Sequence, residues 1–264
     1  MRNNTKMLLR RIKIGLSLLF LLLFGCARPL PPELPIPSRN DSQLLAHLDE
    51  VTSRYQSLQS SARIEVVTGS ESFSASQVLF VQRPAQLRSE ILFGPFATPV
   101  MSLSADQDHL SVYQPLQGTF AQGSASVANI ARYTHMPLRV EDLVGMILMA
   151  PPRFPFEESS VFRVAAGDRL VLVAAGGVVQ HFTFDAAGNL LQAAYFLGER
   201  LQLQADYSGF DARSEGFPQK LRVSMPERQV VATMTFSDSV INVPIPPHNF
   251  VLKIPAGMKV QSLP

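Results

Sequence analysis

The sequence predicts a mainly β (α+β) protein built on one large antiparallel sheet or barrel. Three observations carry this: many short runs in which apolar and polar residues alternate, turn residues about every ten positions, and few helical stretches.

In chain order, the first segment is not part of that domain. Arg2, Lys6, Arg10, Arg11 and Lys13 precede an uncharged apolar run from Ile14 to Phe24, with no acidic residue among them. A bilayer span needs about 20 apolar residues. The shorter run therefore reads as a signal peptide over residues 1–25. Leu23-Phe24-Gly25-Cys26 resembles the bacterial lipobox, in which a small residue precedes a cysteine that is lipidated before cleavage. The resemblance implies diacylglycerol and an N-acyl chain on Cys26, and no other cofactor. Cys26 is the sole cysteine, so no disulfide holds the exported domain together. Residues 26–40 carry Pro29, Pro31, Pro32, Pro35 and Pro37 and read as an extended tether.

Residues 41–264 read as a single domain. Ser42 is positioned to cap a first helix, whose stripe is Leu44, Leu45, Leu48, Val51, Tyr55 and Leu58. Alternating runs follow around Ala62–Val66, Phe73–Ala75, Leu87–Phe93, Met101–Leu103 and Leu110–Val112. They are divided by Thr68-Gly69-Ser70, Arg83-Pro84 and Gly94-Pro95. A short helix is expected over Ser126–Tyr133, and a second from Val140 to Met149, stopped by Pro151-Pro152. The second has almost no polar face, so both its sides must be covered, by core or by a greasy cavity. Strands resume at Phe162–Val164, Leu170–Val173, Val178–Phe184, Leu190–Phe196, Leu201–Ala205, Lys220–Ser224 and Val230–Phe236, with a last one at Val251–Ile254.

Composition narrows the function classes. The leader holds 5 of the 23 Lys+Arg and none of the 21 Asp+Glu, leaving 18 basic against 21 acidic residues. The mature chain is mildly acidic and has no footprint for nucleic acid. His47, His109, His135, His181 and His248 lack metal-ligand spacing. Asp106 and Asp108 beside His109 read as a strand-to-strand turn. With no nucleophile elbow, phosphate loop or zinc signature, neither a catalytic residue nor a metal site is expected.

Three segments together resemble the lipoprotein-localisation fold of the periplasmic carrier LolA and the outer-membrane receptor LolB. Leu92 to Leu103 is similar to a protruding LolB hairpin, Ala128 to Leu138 and on to Pro152 to its helix pair, and Ile245 to Val260 to a LolA-type ending. The resemblance is nearest to LolB. It implies an unclosed antiparallel β-barrel with helices covering an apolar concave face, and a lipid-anchored receptor on the periplasmic face of the outer membrane. Such a receptor takes acylated lipoprotein cargo from a LolA-like carrier and acts as a monomer. Ala27, rather than Asp, after the lipidated cysteine is similar to outer-membrane sorting in enteric bacteria. Phe96, with Pro95 and Phe93, is the implied membrane-inserting loop. The implied cavity lining is Leu143, Met146, Ile147, Ile91 and Met101, where soft Met side chains suit flexible acyl chains. A structural or assembly lipoprotein binding a protein partner, or a carrier for another lipid or glycolipid, is the alternative.

Overall fold

A computed structural model describes residues 37–210 and 215–264; the expected signal peptide, Cys26 and most of the expected tether lie outside the described residues. Helix α1 (Asp41–Ser53) is capped by Asn40, not Ser42. The Asn40 side chain accepts from the Gln43 amide, and Gln43 reaches back to the Asn40 N–H. A capping box uses the residue at the third helical position, which selects Asn40 over its neighbour. Leu44, Leu48 and Val51 are buried, whereas Tyr55 and Leu58 lie beyond the end of the helix.

Then come β1 (Ser57–Val67), β2 (Ser72–Gln82), β3 (Gln86–Phe93), β4 (Thr98–Ala105), β5 (His109–Gln114) and β6 (Thr119–Ser124). Helix α2 (Val127–Thr134), capped by Ser126, and helix α3 (Val140–Ile147) interrupt the strands. α3 is shorter than its apolar run because the Ala150 N–H turns back to the Gly145 carbonyl and Met149 adopts a positive φ. The chain returns through β7 (Glu158–Val164), β8 (Gly167–Val173), β9 (Val178–Phe184), β10 (Leu190–Leu197), β11 (Arg200–Phe210), β12 (Pro218–Met225) and β13 (Val230–Ile241). A short β14 (Val260–Ser262) ends the order.

Among the described residues these form one 14-stranded sheet, ordered β14-β6-β5-β4-β3-β2-β1-β13-β12-β11-β10-β9-β8-β7. Neighbours are antiparallel except β14, which lies parallel to β6. β7 and β14 form its two edges, so the sheet is unclosed. The join between the two halves is β1 on β13, with Ile64 opposite Met234. Because the strands alternate in direction, the turns β1–β2, β3–β4, β5–β6, β8–β9, β10–β11 and β12–β13 share one end of the sheet.

Inward residues of both halves meet the helices in a common core that includes Leu79, Leu103, Val144, Phe182, Leu221 and Val223. The expected strand at Val251–Ile254 is absent. That segment crosses the outer face of β3 and β4, where the Arg88 guanidinium donates to the Val251 carbonyl (3.1 Å) and the Ser104 hydroxyl to the Phe250 carbonyl. It meets side chains there, not a free strand edge, so no ladder forms. Among the described residues no helix is long and apolar enough to cross a membrane.

Candidate functional site

The concave face carries two clefts, one on each side of α3. The first has a volume of about 420 Å³, within the range of roughly 300–1,000 Å³ usual for small-molecule sites. Ile64, Leu79, Ile91, Met101, Leu103 and Met234 supply its sheet wall. Met136, Leu143 and Ile147 close it from the helix side. Polar groups gather toward the hairpin end, at Thr68, Glu71, Gln114, Gln117 and Arg132.

The second cleft, about 640 Å³, lies against β9–β12. Tyr195, Leu203, Met225 and Phe154 line it together with Asp142, Gln202, Glu227 and Arg228.

The partition between the clefts is tied down. The buried Tyr207 hydroxyl donates to the Met146 carbonyl (3.0 Å), which also accepts from the Met149 N–H at the end of α3 (3.3 Å). The Tyr195 hydroxyl donates to the Pro152 carbonyl (2.5 Å), and Gln180 holds both backbone groups of Phe154 (2.7 and 3.1 Å). Burial, joined by the charge of Asp206, pushes the Tyr207 pKa up, and burial likewise raises Tyr195. At the start of α3, Arg139 clamps Asp142 through Nε and Nη2, both at 2.9 Å. These bonds make α3 a fixed wall within the concave face.

The β3–β4 turn projects from the same end as the cleft mouths. Gly94 and Ala97 both have positive φ, and the Ala97 N–H donates to the Gly94 carbonyl (3.2 Å). The turn presents Phe96 at 91% exposure, with Phe93 at 58% and Pro95 also exposed. Val67, Phe73 and Leu116 are exposed at that end too. Single exposed apolar residues are ordinary, but a set of them around a cleft mouth marks a contact surface.

Of the residues expected to line a cavity, Ile91, Met101, Leu143 and Ile147 meet around the first cleft. Met146 does not. Leu143 and Ile147 are one i, i+4 pair on the cleft side, and Met146 is turned about 100° from Ile147, into the core at 1% exposure. The β1 and β13 walls, the Met136 lid and Gln77 were not picked out from sequence. Strand alternation marks Gln77 as sharing a face with Ala75 and Leu79, but only the register shows that face to be the concave one.

Three histidines serve local structure, whereas His135 lines the first cleft. His47 Nε2 bonds the Gly188 carbonyl (2.7 Å), and His109 pairs with Asp106 at the β4–β5 turn. The His181 ring lies 4.7 Å from that of Phe196, and burial followed by the charge of Arg169 lowers its pKa. Among the described residues no group of three or more His, Cys, Asp or Glu side chains could hold a metal ion.

No protein-family model and no curated protein sequence matches the chain. Solved structures do share the fold. A LolA superfamily protein from Nitrosomonas europaea is 14% identical, with 81% of this chain and 99% of that chain covered at a TM-score of 0.51. A domain assigned to outer membrane lipoprotein sorting, from Vibrio parahaemolyticus, is 11% identical over 79% of this chain and 94% of its own (TM-score 0.52). A DUF1329 family protein from Desulfovibrio piger is 16% identical over 79% and 95%, respectively (TM-score 0.51). At these identities the likeness is one of fold: the unclosed sheet is LolA-like, and nothing in it singles out LolB.

Proposed function

We propose that the chain is a lipid-anchored receptor that accepts acylated lipoproteins from a LolA-like carrier and passes them into the outer membrane. The observation that carries this is the placing of the apolar first cleft and the bare Phe96 turn at one end of the sheet. Moving an acyl chain through water exposes about 0.8 kcal/mol of apolar surface per methylene, and a concave apolar wall removes that cost. A hydrophobic turn beside the mouth brings the wall to the bilayer surface where the chain is to be released. A volume of about 420 Å³ lies within the usual size of small-molecule sites and gives an acyl chain room to insert.

Two further observations support the reading. The fold is shared with a LolA superfamily protein and a lipoprotein-sorting domain. The basic head, the apolar run and the lipobox-like Leu23-Phe24-Gly25-Cys26 fit an exported, lipid-anchored chain.

The test uses a lipid-free form beginning at Ala27 and a triacylated lipoprotein loaded on its carrier. Wild type is expected to take the cargo and deliver it to liposomes, while Phe96→Glu takes it and keeps it. If wild type takes none, the receptor reading is lost, and a scaffold role or another lipid becomes the reading to pursue.

A further inference from the structure

Among the described residues, four buried side-chain atoms lack a hydrogen-bond partner: Ser74 Oγ, Gln77 Nε2, Arg83 Nε and Arg88 Nε. Of these residues only Gln77 lines a cleft. It is 3% exposed, and the residues directly opposite it on the flanking strands, Ala62 and Ile91, are apolar. The Ser89 hydroxyl donates to Gln77 Oε1 (3.0 Å), which fixes the amide and leaves both Nε2 hydrogens unpaired. Buried donors are almost always paired, because an unpaired one loses its water without compensation. An unpaired amide donor in a wall that is apolar except for Ser89 therefore points to an acceptor that a ligand brings.

The depth of Gln77 indicates which acceptor. It stands five residues along β2 from the hairpin end, about 17 Å at strand rise. Below it lies an apolar floor of Leu79, Leu87 and Leu103, and above it the polar mouth at Gln114, Gln117 and Arg132. A molecule that fits this order has an apolar tail, then one acceptor oxygen, then a polar head. We propose that Gln77, oriented by Ser89, binds the carbonyl oxygen of an acyl group, whether ester, amide or free acid, in the first cleft. This rests on the acyl-binding reading above and deepens it.

The experiment measures displacement of a fluorescent fatty-acyl probe from the lipid-free form by methyl palmitate, N-methyl palmitamide, palmitate and hexadecane. Wild type is expected to prefer the carbonyl compounds. Gln77→Leu is expected to cut that preference about three- to tenfold, leave hexadecane binding intact and raise the thermal midpoint, since an unpaired donor is removed. Gln77→Glu, which offers an acceptor where a donor is needed, loses the preference as well. Preference for ester and amide identifies an esterified or amide-linked lipid as the source; preference for palmitate alone identifies a free fatty acid. A preference that survives Gln77→Leu, or none in wild type, overturns the carbonyl assignment while acyl binding stands. A loss of hexadecane binding together with a lower midpoint in Gln77→Leu also overturns it, making Gln77 a structural part of the wall. If the probe does not bind wild type at all, the acyl-binding reading fails with it.

Discussion

Replacing Phe96 by alanine isolates the membrane contact from the fold. Its side chain is 91% exposed, so it adds almost nothing to folding, and nearly its whole transfer free energy is available to a bilayer. Burying a phenylalanine is worth about 1.5–3 kcal/mol, which corresponds to about a 10- to 150-fold change in partitioning. Phe93, at 58% exposure, has about two-thirds as much to offer, or about five- to twenty-five-fold by the same conversion. The assay is flotation of the lipid-free form with zwitterionic liposomes, at low and high salt, alongside thermal unfolding. Phe96→Ala should float far less than wild type, Phe93→Ala should fall between them, and the Phe96→Ala midpoint should not move. Salt should change little, because apolar transfer is not screened as exposed charges are. If Phe96→Ala floats within twofold of wild type, or if raising salt strips wild type from the liposomes, the membrane contact is not an apolar one made by Phe96.

Three other outcomes are expected. Met101→Trp should fill the first cleft and reduce uptake of a fatty-acyl probe at least about tenfold while far-UV circular dichroism is unchanged; normal uptake would place the ligand elsewhere. Tyr207→Phe should cost about 0.5–1.5 kcal/mol in denaturant titration at neutral pH, since one buried hydrogen bond is lost while the Met146 carbonyl keeps its bond from the Met149 N–H. The raised Tyr207 pKa means that the unfolded chain loses its proton first above pH 10. The wild-type stability advantage over Tyr207→Phe should therefore shrink by about 1.4 kcal/mol per pH unit above that point; a constant difference through pH 11 would contradict the buried bond. His181, with its pKa lowered from 6.5, favours the neutral ring in the fold, so its contribution is present above that pH and lost on acidification. His181→Gln should flatten the decline in stability between pH 7 and 5, as read by denaturation midpoints.

Much of the architecture was readable along the chain because it rests on local chemistry. Alternation at Ile64, Val66, Ile91 and Met101 marks strands before any partner is known, since period two is a property of the extended backbone. The nearly all-apolar run of α3 announces that the helix is covered on both sides, as its buried Val144 and cleft-lining Ile147 show. Other features have no local signal. The pairing of Ile64 with Met234 joins residues far apart in sequence, and such a long-range choice is made by how the two halves bury their faces together. Whether Phe96 folds back or stands out depends on the Gly94–Ala97 turn geometry. The side of α3 that Met146 takes depends on which face of the helix packs into the core. Val251–Ile254 has the composition of a strand, yet it lacks a free edge and crosses the sheet as a strap. Sequence alone thus determined most of the element types and the list of apolar residues. Tertiary structure alone divided that list into core, cleft wall and exposed turn, because burial follows from packing between distant segments.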